Sequence, residues 1–180
     1  RPHSELSRLN ARGAQEPVVL EPRLYELLRR AVRFAEQTDG AYDPTAGPLV
    51  ALWRTCRQEK RLPREEEIAA ARGRLGWQHD LFDDATCSIR FAQPGVSLNL
   101  NALGKGYALD RVAEELAPRA ADWLMHGGFS SILARGTHWG HAGWPVSIRH
   151  PLFPNRPFAT VLLRDRALST SGSAFQFFRY

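Results

Sequence analysis

The sequence has little of what marks disulfide-rich or membrane-spanning proteins. Only two of its 180 residues are cysteines, Cys56 and Cys87, which is too few for a disulfide framework, and they show no metal-ligand spacing. No apolar run approaches the length of a membrane span, and no signal peptide opens the chain. Because the first residues lie inside a motif described below, we expect the natural N-terminus upstream, and the compartment stays undetermined.

Lysine is also scarce, and the chain has no dense basic run. Of its 24 basic residues only Lys60 and Lys105 are lysines, and the formal charge of +5 is spread over arginines interleaved with carboxylates, as in Arg64-Glu-Glu-Glu67. Composition alone leaves a nucleic-acid-binding domain as one hypothesis. A basic surface is equally suited to binding a phosphate-rich cofactor. The remaining alternative is that the basic surface binds no specific ligand.

The apolar residues that are present predict one globular domain with several helices. The chain is 43% apolar and 24% charged, which is ordinary for a domain with a proper core. Apolar spacing predicts a short helical turn capped by Ser4, an amphipathic helix over 21–38 closed by Gly40, a helix capped by Thr45 with Cys56 on its apolar face, and a solvated helix over 61–75.

Short strand-like runs occupy the rest of the chain. Residues 77–82 and 87–91 flank the turn signal Asp83-Asp-Ala-Thr86 and predict a β-hairpin. Further runs cover 122–126, 130–134, 144–148, 158–163 and 167–170 and are joined by loops rich in Pro, Gly and Asn. This pattern is typical of an antiparallel sheet, so the sequence predicts an α+β fold with a mainly antiparallel sheet flanked by helices.

The most informative stretch is residues 96–117. Its first part alternates apolar and polar residues and predicts a strand with one buried face. Its second part has helical spacing from Leu109 onward, with Asn101 as a plausible N-cap. Gly104, Lys105 and Gly106 then fall in the first helical turn, where backbone N–H groups lack intrahelical partners and the helix dipole is positive.

The residue types in that first turn are unfavourable for a helix alone. Two glycines cost about 1 kcal/mol each relative to alanine, and a lysine at the positive end of the dipole costs about 0.3–1 kcal/mol. A bound phosphate would reverse both penalties, because glycine lets it approach the backbone and Lys105 neutralises it. The alternative is a tight strand-to-helix turn whose glycines serve packing only.

Five ordered motifs carry a resemblance to a known family. Asn101-Ala-Leu-Gly-Lys-Gly-Tyr-Ala-Leu-Asp110 resembles the signature of the ApbE family, the FAD:protein FMN transferases of bacteria. The other four motifs match that family in the same order: Ser4-Glu-Leu-Ser-Arg-Leu-Asn10, Asp39-Gly-Ala-Tyr-Asp-Pro-Thr-Ala-Gly-Pro-Leu-Val-Ala-Leu-Trp53, Gly127-Gly128 and Ser169-Thr-Ser-Gly-Ser173.

The resemblance implies a fold and an activity. The fold is an ApbE-like, T-fold-like single domain over residues 1–180 that is incomplete at both ends. The activity is Mg²⁺-dependent transfer of FMN from FAD to a Ser or Thr hydroxyl of a target protein, with release of AMP. The partner would be a flavin-acceptor protein and not a nucleic acid. The location would be bacterial, either periplasmic or attached to the inner membrane, and a cytoplasmic location stays open.

The resemblance also implies roles for particular residues. The cofactor-binding positions would be Ala41, Tyr42, Asp43, Asn99, Lys105 and Ser171, and the carbonyl of Ala102 would bind Mg²⁺. Asn99 departs from the family, which usually has an Asp there, so the position keeps a hydrogen-bond acceptor and loses a charge. No catalytic residue is assigned.

The resemblance leaves two hypotheses open about the function of this chain. Further family segments that supply metal ligands are not among these residues, and a single carbonyl is a poor Mg²⁺ site. We therefore consider a flavin transferase represented by its central portion, and alternatively a non-catalytic FAD-binding member of the family.

Overall fold

The computed structural model describes residues 3–128, 130–150, 152–153 and 155–171. These residues fall into two compact units, 3–100 and 101–171, each described here by itself. The prediction of one domain over residues 1–180 stays a prediction. Every strand pair in the described ranges is antiparallel and helices accompany the sheets, so the predicted α+β class is confirmed.

The elements follow the chain in this order. The helices are α1 (Glu5–Arg12), α2 (Pro22–Gln37), α3 (Gly47–Glu59), α4 (Glu65–Arg72) and α5 (Gly104–Leu116). The strands are β1 (Val18–Val19), β2 (Asp80–Asp83), β3 (Ser88–Phe91), β4 (Trp123–His126), β5 (Ser131–Arg135), β6 (Trp144–Arg149), β7 (Pro157–Leu163) and β8 (Arg166–Ser169).

The first unit builds its core from α1, α2 and a sheet in the order β1-β3-β2. The apolar face of the predicted amphipathic helix is buried in α2, apart from the half-buried Leu24, and Pro22 stands in the first turn. Beyond the helix, Gly40 adopts φ +76 and its N–H donates to the Ala35 carbonyl at 2.9 Å, which closes the helix as predicted. The predicted hairpin is also confirmed, with Phe82 opposite Ile89.

Residues 96–100 differ from their prediction. They are extended and their burial alternates, with Val96 and Leu98 buried, but they form no strand ladder within the described residues. The side-chain amide of Asn10 takes the place of a neighbouring strand: its Nδ2 donates to the Leu98 carbonyl at 3.0 Å, and its Oδ1 accepts from the Leu98 N–H at 2.9 Å. The extended backbone and the buried face are therefore as predicted, but among the described residues the segment is not a paired strand, because alternation reports burial and not pairing.

Two predicted helix caps are also wrong, each by a short distance. The N-cap of α3 is Ala46 and not Thr45, and the N-cap of α5 is Leu103 and not Asn101. Thr45 is fully buried, and its hydroxyl is engaged in contacts described below. By contrast, Ser4 caps α1 as predicted, since its Oγ accepts from the Ser7 N–H at 3.2 Å.

The second unit contains α5 and two sheets. One sheet has the order β4-β5-β8 and the other pairs β6 with β7. All five strands lie where the sequence predicts strand-like runs, to within one or two residues. Ile132 on β5 is opposite His126 on one side and Leu168 on the other, so β5 is the central strand of its sheet.

Candidate functional site

The N-terminal end of α5 is open. Leu103 is the N-cap and provides no side-chain hydrogen bond, so the first-turn N–H groups receive no side-chain partner from the cap. A Cβ added at Gly104 or at Gly106 would meet no atom within 4 Å. The two glycines are therefore not required by packing against the described residues, which weakens the alternative in which they serve a tight turn only.

Lys105 projects from this open end and is exposed. Its Nζ donates to the Oγ of Ser130, which lies ahead of β5. The backbone carbonyl of Ser130 accepts in turn from the Thr170 N–H at 2.9 Å and from the Ser169 hydroxyl at 3.3 Å. Ser130 thus joins the predicted lysine to the segment that follows β8, where the exposed Ser171 lies.

The motif around Ser171 is only partly visible. Residues 172 and 173 of the Ser169–Ser173 motif lie outside the described residues, so the structure gives Ser171 a position next to Thr170 and no side-chain contact. Its assignment as a cofactor-binding residue stays a prediction.

A cleft of about 150 Å³ adjoins the start of α5. Its lining is mostly apolar, and the residues that could offer side-chain oxygens are Asp110, Ser131 and Ser169, with Ala102 also at the cleft. Carbonyl, carboxylate and hydroxyl oxygens are the donors that Mg²⁺ prefers. They do not make a complete site, however, because the described ranges contain no group of three or more His, Cys, Asp or Glu side chains that could hold a metal.

The Ala41–Asp43 segment of the first unit is held by a short chain of hydrogen bonds. The Oδ1 of Asp43 accepts from the Thr45 N–H at 2.7 Å and from the Thr45 hydroxyl at 2.6 Å. The same hydroxyl accepts from the Gly76 N–H at 2.8 Å. Thr45 therefore ties residues 41–45 to the segment that leads into β2.

Asn99 lies beside this segment. Its backbone N–H donates to the Pro44 carbonyl at 2.7 Å, so two of the cofactor-binding stretches predicted from sequence, 41–43 and 99, meet within the first unit. Both Asp43 and Asn99 are half-buried, and Ala41 is exposed.

Tyr42 is the aromatic member of the set. Its hydroxyl is buried and has no hydrogen-bond partner among the residues described. Burial raises the pKa of this hydroxyl, and the charge of Asp43 raises it further. A neutral, unpaired donor on a half-buried ring is a suitable contact for a polar ligand group, because an orphaned donor is costly until a ligand satisfies it.

The sequence analysis missed Asp80, which opens β2. The residue is 8% exposed, and neither carboxyl oxygen has a hydrogen-bond partner in the described part of the chain. Burial, followed by the nearby charge of Asp43, raises the pKa of this carboxyl to about 7. The sequence nevertheless indicates that Asp80 is buried, because strand alternation places it on the same face as Phe82, which packs against the core.

Comparison with known proteins decides the family. The family described as "ApbE family" matches residues 1–180, the whole chain. The chain belongs to the ApbE family. This confirms the family resemblance drawn from the five motifs.

Named relatives agree with the assignment. The chain is 31% identical over 192 aligned residues to the FAD:protein FMN transferase of Treponema pallidum, covering 99% of this chain and 53% of that protein. It is 29% identical to the FAD:protein FMN transferase of Vibrio cholerae, covering 99% of this chain and 54% of the relative. The chain therefore spans about half the length of these relatives.

Solved ApbE structures share the fold. The ApbE protein of Thermotoga maritima superposes with a TM-score of 0.82 at 30% identity, over 93% of this chain and 54% of that one. The flavinyl transferase ApbE of Pseudomonas stutzeri, in its apo form, gives a TM-score of 0.82 at 29% identity, over 100% and 56%. The ApbE-like fold predicted from sequence is confirmed, over about half the length of these structures. The individual site residues stay predictions.

Proposed function

We propose that this ApbE-family chain contributes the FAD-binding part of an FMN transferase, an enzyme that moves FMN from FAD to a Ser or Thr hydroxyl of an acceptor protein and releases AMP. The names of the relatives support the reaction. The observation that carries the assignment in this chain is the open start of α5, where two glycines with free space around them flank a lysine.

The diphosphate of FAD suits this helix start. Backbone N–H groups without partners and the positive end of the helix dipole both attract a phosphate oxygen. Gly104 and Gly106 leave room for close approach, and the Lys105 ammonium supplies a counter-charge. Ser130 orients that ammonium, since it accepts from Nζ. The chain thereby binds and positions the group that is to be cleaved.

The reaction needs positioning and charge neutralisation. The acceptor hydroxyl oxygen would form a bond to the FMN phosphorus, the bond from that phosphorus to the oxygen bridging to AMP would break, and the hydroxyl proton would leave to a base. A bound Mg²⁺ would supply charge neutralisation at the diphosphate. The Ala102 carbonyl would contribute to its binding, with Asp110 on the same cleft.

The residues of the first unit would recognise the cofactor. Tyr42 offers a ring and a hydroxyl that has no partner among the described residues, Asp43 follows it with a carboxylate, and Asn99 would add its amide from the adjoining segment. Asn99 carries no charge, so we propose recognition and not proton abstraction for it. That residue is also the feature that favours the second candidate, a family member that binds FAD without transferring FMN.

The acceptor and the compartment belong to the proposal as well. We propose a flavin-acceptor protein with a reactive Ser or Thr, and a periplasmic or inner-membrane-attached location in a bacterium. Among the described residues, no helix is long and apolar enough to cross a membrane.

The deciding experiment incubates the complete natural protein with FAD, Mg²⁺ and a flavin-acceptor domain. Transfer predicts flavin fluorescence that remains on the acceptor after denaturing electrophoresis and disappears when the acceptor hydroxyl is removed. FAD binding without acceptor fluorescence would favour the non-catalytic candidate. Binding of DNA or RNA that weakens with salt would instead support the nucleic-acid hypothesis raised by composition, and a flat titration at low salt would remove it.

A further inference from the structure

A buried carboxylic acid without partners lies next to the proposed cofactor segment of the first unit. Asp80 is 92% removed from solvent, since only 8% of it is exposed, and both of its oxygens lack hydrogen-bond partners among the residues described. Burying an unpaired carboxylate is far more costly than burying the neutral acid. This position therefore favours the protonated side chain.

The structure also connects Asp80 to the proposed cofactor residues. The charge that acts on Asp80 is the negative charge of Asp43, which opposes the ionisation of Asp80. The hydroxyl of Thr45 donates to Asp43 and accepts from Gly76, four residues before Asp80. A change of charge at Asp80 thus acts on one carboxylate that lies at the end of the Ala41–Asp43 segment.

The other elements around Asp80 offer little compensation. On β3 its cross-strand partner is the apolar Phe91. Arg90 is opposite Leu81, which is 50% exposed, so that cation belongs to the outer face of the hairpin. His79 precedes Asp80 in the chain and packs its ring near Gly76. From residues 41–45 the charge that acts on Asp80 is that of Asp43, which also raises the pKa of the neighbouring Tyr42 hydroxyl.

We propose that Asp80 is a positioning residue for the Ala41–Asp43 segment: as a neutral acid it lets Asp43 keep its contacts with Thr45, and when it loses its proton the two carboxylates repel and the segment loosens. The proposal rests on the function proposed above, since the affected segment is the one assigned to FAD recognition. It adds a regulation that the assignment does not contain, namely FAD affinity that falls as the pH rises through neutrality.

The test compares the wild type with Asp80→Asn, which keeps the shape of the side chain and cannot ionise. Asp80→Val is a second variant in case the amide disturbs folding, and Asp83→Asn is the matched control, because it removes an exposed carboxylate from the other end of β2. Two readouts are measured in the complete natural protein between pH 6 and pH 8.5. One is the dissociation constant of FAD from flavin fluorescence quenching. The other is amide hydrogen exchange without FAD.

The exchange readout follows the amides of Thr45 and Gly76, whose hydrogen bonds hold the segment. Their protection factors should fall on the order of tenfold with rising pH in the wild type and in Asp83→Asn, and stay constant in Asp80→Asn and Asp80→Val. The amide of Gly13, bonded to Leu9 in α1, should be unaffected in every variant. The FAD dissociation constant should rise by a similar factor with pH in the wild type and in Asp83→Asn, and stay constant in Asp80→Asn and Asp80→Val.

The two readouts separate failure of this proposal from failure of the proposed function. Identical exchange profiles in wild type and Asp80→Asn would overturn the role of Asp80 even if FAD binds. Loosened amides with an unchanged dissociation constant would overturn the link to the cofactor. Absence of FAD binding at every pH would overturn the proposed function, and with it the claim about affinity.

Discussion

Lys105 and Ser130 are joined by a hydrogen bond from Nζ to Oγ, although 25 residues separate them in the sequence. We expect Ser130→Ala to weaken FAD binding about two- to tenfold, because the lost bond is worth about 0.5–1.5 kcal/mol and the ammonium is no longer oriented. A flavin-quench titration measures this. Ser130→Thr keeps a hydroxyl and serves as the control, and equal losses in both variants would contradict the proposed role.

Removing the lysine itself tests the counter-charge. Lys105→Ala should raise the FAD dissociation constant more than Ser130→Ala does and should flatten its dependence on salt, since the charge that attracts the diphosphate is gone. Lys60→Ala is a matched control, because Lys60 is the other lysine of the chain and is exposed after α3. Indistinguishable titrations for the two variants would refute the assignment of Lys105.

Gly106 separates ligand binding from packing. Because a Cβ there meets nothing within 4 Å and the residue is helical, Gly106→Ala should raise the free energy of unfolding by up to about 1 kcal/mol. The same methyl group should hinder close approach of a phosphate and weaken FAD binding. Thermal denaturation and FAD titration together check this, and a variant that is more stable with unaltered affinity would show that the phosphate lies elsewhere.

Gly47 provides the contrasting glycine for that experiment. Its N–H donates to the Ser97 carbonyl at 3.1 Å, and an added Cβ would lie only 2.7 Å from the Ser97 Oγ. Gly47→Ala should therefore destabilise the protein, whereas Gly106→Ala stabilises it.

Thr45 holds the proposed cofactor segment through one hydroxyl. In Thr45→Val the shape is kept, but the Gly76 N–H and one acceptor site of Asp43 lose their partner, which should cost about 1–3 kcal/mol in the free energy of unfolding. Urea denaturation measures the loss. Thr160→Val on β7 changes an exposed threonine in the same way and should be nearly neutral; a comparable loss there would point to a general effect of the substitution.

The pH dependence of the free energy of unfolding should show that Asp80 is protonated in the folded protein. Its pKa is about 7 in the folded protein and 3.8 ordinarily, so between these values the folded state binds a proton that the unfolded state has released. The free energy of unfolding therefore falls as the pH rises through this window, by at most about 1.4 kcal/mol per pH unit, and Asp80→Asn lacks that slope.

Urea titrations at several values between pH 4 and pH 7 measure the difference between wild type and Asp80→Asn. Asp83→Asn is the control, because hydrogen bonds from Thr86 and from the Ala85 N–H lower the pKa of Asp83, so above about pH 5 its charge is nearly the same in the folded and unfolded states. Parallel curves for wild type and Asp80→Asn would mean that Asp80 is ionised in the folded protein.

The sequence predicts elements whose cause is local. Three such elements are confirmed: the amphipathic helix α2, the Ser4 cap and the turn that joins β2 to β3. Each depends on residues within a few positions of one another. The two glycines and the lysine likewise predict a first turn of α5 with room for a ligand, and an added Cβ at either glycine would meet no atom within 4 Å.

The errors arise where a distant partner decides the outcome. Thr45 does not cap α3, because its hydroxyl bonds to Gly76, 31 residues away. In the described part of the chain, residues 96–100 have no partner strand, and Asn10, 88 residues before Leu98, bonds to the Leu98 backbone instead. Ser130 could not be linked to Lys105 from sequence, since no local pattern relates them. Asp80 could have been noticed, as a carboxylate on the inward face of a strand.

The Asn10 side chain has a further consequence for association between chains. A sheet would offer an extended segment a partner strand, and that partner would present a new outer edge of N–H and C=O groups. An amide group satisfies the Leu98 N–H and carbonyl with two bonds and presents no such edge. An added strand would therefore find neither backbone group of Leu98 available, because the Asn10 side chain already occupies both.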